Sequence, residues 1–369
     1  MSVDWNAVRA EFPALANWTY LNTATYGQVS RRSLARLNKH FADRDEKACS
    51  DFLSWFDHMD SVRDLVASLV NCKVDDIAFI QNASTGLAWL IAGLDWSPGD
   101  RVVTLESEFP NNIYAPSVLG RRGVEFVETP WESFYDSIDD RTRLVAISSA
   151  NYVTGFVPPL EEISAFLRER GVLLYVDGTQ SVGALRFDVA RIQPDMLAVH
   201  GYKWLNCPDG AGFMYVKPDL RKRMAPTVVG WRSHRDWRNV DNLHHGAPEF
   251  PESAEKYEGG MLPFAVLYAM QASIEYVLEI GPEAIERRVL DLADYAREAA
   301  RELGGEPRSV HSAIVPICFE GRDASALARA LKDKRVLVAA RHGLLRVSTH
   351  FYNNESDIDR LKSALLELL

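Results

Sequence analysis

The chain predicts an α/β fold, a mostly parallel sheet covered by helices, with a small α+β unit towards its C-terminal end. Three observations carry this reading. From about residue 60 to 220, strand-like and helical segments alternate, which implies right-handed crossovers between parallel strands. The stretch "GVLLYVD" is apolar throughout, as a strand buried on both faces is. Polar clusters follow the strands, where open α/β sheets place their ligands.

Taken in order, "DHMDSVRDLVASLVN" has helical spacing, "DIAFIQN" reads as a strand and "STGLAWLIAGL" as a helix. "DRVVTLES" is a strand, "IYAPSVLGRRG" a helix, and "VEFVETP" and "TRLVAISSAN" are strands. "LEEISAFLRERG" is a helix with a glycine stop. "VLLYVDG", "DMLAVHG" and "GAGFMYV" complete the strands. Residues 226–260 break the rhythm with an aromatic, polar, Pro/Gly-containing segment too long for a plain turn, which reads as a functional or interface loop. After "LPFAVLYAMQASIEYVLEIG" and a long helix around "IERRVLDLADYAREAARELG", the strands "AIVPICFE", "RVLVAAR" and "LLRVSTHFY" and a helix at "DASALARALKDK" form the smaller unit. The expected division is a large domain over 16–255 and a small one over 256–369 with 1–15, a cleft between them being the default ligand site.

Bulk composition narrows the partners. A net charge of -10 argues against nucleic acid or an anionic membrane as principal partner. No apolar run reaches spanning length, and "MSVDWNAVRAEF" has no signal-peptide core. Cys49, Cys72, Cys207 and Cys318 lack metal-ligand or CxxC spacing, so no metal site is expected and they read as reduced thiols of a cytoplasmic protein.

Asp177 emerges from an apolar strand, and Lys203 follows in "HGYKWL". A carboxylate at a strand end either contacts a ligand or closes a turn, and burial without a partner is costly. A lysine between Tyr202 and Trp204 either snorkels or is held dry for a purpose. "NASTG" (82–86), after a strand and before a helix, would present amides and hydroxyls to an anion; equally, Ser84 or Thr85 merely caps the helix.

Taken together, an anion-binding turn, the aromatic of "ESEFPNN", the asparagine of "SSANYVTG", "DGTQ" and then "HGYKW" resemble the fold-type-I pyridoxal-phosphate enzymes. The resemblance is to their class V aminotransferase family, which includes cysteine desulfurases, kynureninases and isopenicillin-N-epimerase-like proteins. It runs from "YLNTATYG" to "LLRVSTHFYNNESDIDRL" and implies a seven-stranded-type sheet, a homodimer with sites near the subunit boundary, and pyridoxal 5'-phosphate as cofactor. Lys203 would then form the Schiff base, its aromatic neighbours favouring the neutral amine. Asp177 would pair with the ring nitrogen, while Gln180 and Asn151 would reach the phenolate edge. Ser84, Thr85 and adjacent amides would bind the phosphate with His200 and Tyr202, and Phe109 would lie over the ring. Arg346 matches the substrate-carboxylate arginine, where a fork suits a planar anion. Asn22 and Thr23 match the loop that approaches an amino-acid-like substrate; a turn asparagine is the competing reading.

Three departures bear on function. Desulfurases carry a persulfide-forming cysteine shortly before the arginine, whereas "VLVAARHGLLR" has none, and Cys207 reads as a small buried hydrophobe. Phe109 stands where desulfurases usually have histidine, and Tyr202 where many members do. Met261 in "YEGGMLP" replaces a threonine that often reaches the neighbouring subunit's phosphate. The expectation is β-elimination from a cysteine S-conjugate. Transamination, epimerisation and decarboxylating deamination share the same carbanion, and kynureninase-like hydrolysis is a further alternative. The reading of another class is a non-catalytic, cofactor-binding regulatory module.

Overall fold

In the computed structural model, which describes residues 3–369, a short strand β1 (Thr19–Tyr20) precedes the main sheet. The sheet strands are β2 (Ile77–Ile80), β3 (Arg101–Leu105), β4 (Glu125–Thr129), β5 (Thr142–Ser148), β6 (Leu173–Asp177), β7 (Met196–His200) and β8 (Gly212–Val216). They form one seven-stranded sheet in the order β2-β8-β7-β6-β5-β3-β4. All are mutually parallel except β8, which runs antiparallel between β2 and β7. A reversal needs no crossover helix, so the connection 201–211 is a plain loop, and that loop carries Lys203.

Each strand feeds two cores because successive side chains point to opposite faces. Val145 and Ile147 of β5 join the core built with the helix Phe52–Val70, while Leu144 and Ala146 join the core under the helix Ala83–Gly93. This explains the unbroken apolar runs. The helix expected from Ile113 starts at Pro110, and from Val118 it tightens into a 3-10 turn. Pro116, inside it, has no N–H to continue the ladder.

The smaller unit contains β9 (Glu306–Pro307), β10 (Ile314–Cys318), β11 (Val336–Leu337), β12 (Ala339–Arg341) and β13 (Leu344–Ser348). Four of these form an antiparallel sheet ordered β12-β13-β10-β9, whereas β11 leaves it to pair with β1 in parallel. The single strand expected over "RVLVAAR" is thus two strands in two sheets.

The division expected at residue 256 cuts through the larger core. Leu267, Met270 and Ile274 of the helix Phe264–Ile280 pack in the same cluster as Phe56 and Val145. The helix Pro282–Glu302 instead gives Leu292 and Ala296 to the small-unit core. The helices on either side of Gly281, whose φ of 96° separates them, thus feed different cores for most of their length, while Val277 and Ile285 meet in a further cluster. The irregular loop drew attention to 256, but a loop can be stitched to the core it crosses.

That stitching is ionic. Glu258 has a fully buried side chain. It accepts from Phe79 N at 2.8 Å, from Arg63 through both carboxylate oxygens, and from Arg232 Nη2 at 3.0 Å. The contacts tie the loop to the helix Phe52–Val70 and to β2. Removing Glu258 leaves two buried guanidiniums to share Glu255, with Asp60 beside Arg63, and so under-compensated. Glu258→Ala is expected to lower unfolding free energy by about 3–5 kcal/mol, checked by urea denaturation; an unchanged midpoint would show the ties to be dispensable.

Candidate active site

The site forms beyond the carboxyl ends of β5, β6 and β7. Ser148 and Asp177 end adjacent strands and are register partners. Asp177 is buried, and its Oδ1 accepts from Thr179 N at 2.9 Å. Burial raises its pKa, and hydrogen bonds from Thr179 together with the charge of Lys203 oppose the rise. Thr179 Oγ1 accepts in turn from His200 N at 3.2 Å, linking the ends of β6 and β7.

Lys203 is 6% exposed. Its Nζ lies 5.5 Å from the Phe109 ring centroid and 5.3 Å from that of Tyr202. Burial brings the amine down to about 8; Asp177 works against this, while Arg346 and Arg341 add to it. The loop is pinned from several sides. Gly27 N donates to the Tyr202 carbonyl at 2.8 Å. Trp204 Nε1 donates to Gln180 Oε1 at 3.0 Å, and Gln180 Nε2 donates to the Ala24 carbonyl at 3.1 Å. His350 Nε2 donates to the Trp204 carbonyl at 2.9 Å.

A cavity of about 150 Å³ opens here, lined by Ser84, Phe109, Ser148, Asp177, Thr179, Gln180, His200, Tyr202 and Lys203 among others. Seven of the expected residues therefore meet. Ser84 sits in the first turn of the helix Ala83–Gly93, whose cap is Asn82 through a bond from Thr85 N at 2.9 Å. Burial drops the His200 imidazole to about 4, so it is neutral at pH 7. Its Nε2 accepts weakly from Gly210 N, which leaves Nδ1–H to donate. Tyr202 packs on it at 4.2 Å. The backbone of Phe109 is held by Glu108, a buried carboxyl that also accepts from Ser148 N at 2.7 Å and Asn112 Nδ2 at 3.0 Å.

Other expected residues do not present side chains to this cavity. Thr85 Oγ1 donates to Asn82 Oδ1, and the residue lines a separate pocket with Met261 and Val228. Asn151 closes a turn: Nδ2 donates to the Ser107 carbonyl and Oδ1 accepts from Val153 N and Thr154 N. Thr23 is buried against the Tyr352 hydroxyl at 2.6 Å. Asn22 bridges to Ser348, its side-chain oxygen buried with no partner among the described residues. Gln180 borders the cavity, yet its amide also bridges the lysine loop, through Trp204, to Ala24 of the N-terminal segment.

Arg346 reaches the site from β13. It is 1% exposed; Nη1 donates to the Tyr152 carbonyl and Nη2 to Thr25 Oγ1, both at 2.6 Å, and Nε is buried without a partner among the described residues. Sequence reasoning missed Thr25, Thr179, Ser148, Glu108 and Arg341. Each nonetheless lies within a stretch already singled out, "YLNTATYG", "DGTQ", "SSANYVTG", "ESEFPNN" and "VLVAARHGLLR".

This geometry defines a lysine-and-aspartate site on a doubly covered α/β sheet. The pattern of the class V aminotransferases matches residues 50–361, and the chain belongs to that family. Isopenicillin N epimerase of Streptomyces clavuligerus is 31% identical over 98% of each chain. A probable cysteine desulfurase of Methanothermobacter thermautotrophicus is 26% identical over 98% of this chain and 97% of its own. A cystine C–S lyase solved with its product cysteine persulfide superposes with a TM-score of 0.88 at 24% identity, covering 96% of this chain and 98% of its own. That last is a likeness of fold.

The protein is thus a pyridoxal 5'-phosphate-dependent enzyme. Its site suits the cofactor: a buried carboxyl and a buried amine, neither in an ion pair among the described residues, face one cavity beside a helix N-terminus. Because a carbonyl is attacked by neutral amine, reloading of the apoprotein is expected to accelerate as pH rises through about 8. Visible absorbance would follow it; a midpoint near 10 would contradict the desolvation of Lys203. A Cβ on Gly27 would lie 1.9 Å from the Lys203 carbonyl oxygen. Gly27→Ala is expected to lose most bound cofactor, read as visible absorbance per chain.

Proposed function

We propose that the enzyme is a C–S lyase that opens cysteine S-conjugates by β-elimination. The observation that supports this most is the closed hairpin between β12 and β13. Arg341 pairs with Leu344, and His342 and Gly343 between them have φ of 47° and 78°, a two-residue turn of the I′ kind. A loop bearing a sulfur-accepting cysteine has no room in it. Cys207, on the lysine loop, is wholly buried, and burial pushes its thiol up to about 12. An enzyme that passes sulfur through a protein thiol needs a thiolate at the site; elimination needs none.

In this reading Asp177 would hold the cofactor's ring nitrogen, Ser84, the first-turn amides and His200 would hold its phosphate, and Phe109 would supply an apolar wall beside it. Bound pyridoxal phosphate supplies an electron sink for negative charge at the substrate Cα. Arg346 grips the α-carboxylate; its two bonds to Tyr152 and Thr25 set the fork in advance. Lys203 Nζ, kept dry by Phe109 and Tyr202, takes the Cα proton. The Cβ–S bond then breaks, its electron pair leaving with sulfur. Phe109 has no proton to give, so protonated Lys203 serves the departing thiolate. The released three-carbon enamine is hydrolysed by water to pyruvate and ammonia.

A second reading is epimerisation at Cα, favoured by the 31% identity to isopenicillin N epimerase. It uses the same proton abstraction and returns the proton to the other face. A homodimer is also part of the proposal: Val228, Val229 and Met261 expose apolar side chains next to the helix Ala83–Gly93, as an interface would.

The test incubates the holoenzyme with cysteine S-conjugates and assays pyruvate, ammonia, keto acids, carbon dioxide and configuration. Lys203→Ala is expected to abolish turnover and Cys207→Ser to leave it near the parent value. Arg346→Ala is expected to raise KM by about tenfold with little change in kcat. Inverted amino acid, a transaminated keto acid or carbon dioxide in place of pyruvate would overturn the lyase reading.

A further inference from the structure

The β12–β13 hairpin brings a second arginine to the site that the chemistry above does not use. Ala339 lies directly opposite Arg346 across the ladder. Arg341 is two residues further along β12, so it projects from the same face as Ala339 and Arg346. Both guanidiniums donate to one hydroxyl, Thr25 Oγ1, Arg346 at 2.6 Å and Arg341 at 3.4 Å. Arg341 is half-buried, and its other bond goes to the Ala340 carbonyl at 2.7 Å. Neither arginine has a carboxylate within 4 Å among the described residues.

Charge at the site is therefore unbalanced. Lys203, Arg346 and Arg341 act on one another repulsively, and Asp177 is the carboxylate that pulls on Lys203. Bonds to a hydroxyl and a carbonyl orient a guanidinium but do not neutralise it, and clustered cations at a part-buried site are relieved by bound anions. The phosphate belongs to the helix end at Ser84 and the α-carboxylate to Arg346, which leaves Arg341 without an anion. Its place is at the mouth of the site. His342, the next residue, meets the Tyr152 hydroxyl at 3.3 Å, and Tyr152 packs edge-on to Phe109 at 5.2 Å.

We propose that Arg341 is a specificity residue that binds a second anionic group, of the carboxylate class, on the substrate beyond its sulfur. This rests on the placement of the α-carboxylate at Arg346, but not on the fate of the carbanion. The test is a titration of the holoenzyme's visible spectrum with S-carboxymethyl-L-cysteine and with its neutral counterpart S-carbamoylmethyl-L-cysteine, which reads binding whether or not pyruvate forms. The acid is expected to half-saturate at about tenfold lower concentration than the amide. Arg341→Gln should bring that ratio close to one, and Arg341→Lys should restore part of it. Arg346→Gln should weaken both ligands alike and keep the ratio. A parental ratio near one, or a ratio unmoved in Arg341→Gln, overturns the proposal. Spectral discrimination without pyruvate would leave it standing and sink the lyase reading alone.

Discussion

The structure depends on keeping an amine and a carboxyl together in a dry place. Lys203 buried alone, or Asp177 buried alone, would each carry the full cost of desolvation. Placed where β6 and β7 end, they share one cavity and each offsets part of the other's cost. The reversal from β7 to β8 makes this possible, because a helical crossover there would have carried the lysine away from the sheet edge. What remains is to hold an irregular loop still, and that falls to its neighbours. The N-terminal segment supplies Gly27 and Ala24, the turn after β6 supplies Gln180, and the segment after β13 supplies His350.

The same neighbours join the two units. β1 pairs with β11, Asn22 bridges to Ser348, and Thr25 receives Arg346. The large sheet thus supplies Asp177 and Lys203 and the small sheet supplies Arg346, with one N-terminal strand and loop fixing the distance between them. This is why residues far apart in sequence, such as Thr25 and Arg346, share a hydrogen bond, and why a shift of the small unit would change what the site accepts.

Within this frame the hairpin of β12 and β13 is the feature on which the proposed chemistry rests. A two-residue turn with both φ positive is tight, and His342 accepts the left-handed conformation that Gly343 takes without strain. Its brevity excludes a thiol-bearing loop, and its pleat places Arg341 on the same face as Arg346. One local geometry therefore underlies both the proposed elimination and the proposed role of Arg341.

The sheet strands, and the site's polar residues beyond their ends, were legible in the sequence because burial on both faces leaves apolar runs that stop at polar residues, the edge strand β4 being read from its alternation instead. Lys203, Asp177, Ser84, Phe109, His200 and Tyr202 were legible for the same reason, since each stands at or near such a stop. The side-chain partners were not. Thr85, Thr23 and Asn151 have the right chemistry for ligands, but Asn82, Tyr352 and the Ser107 turn stand closer to them. Neither the change of core around Gly281 nor the splitting of "RVLVAAR" into β11 and β12 could be read locally, because packing against distant helices and pairing with β1 decide them. The sequence by itself determined which segments are buried and which chemical groups lie near the strand ends. Only the tertiary structure decided which of those groups spend their hydrogen bonds on the protein and which remain free for a ligand, because a polar side chain takes whichever partner the fold brings within about 3 Å.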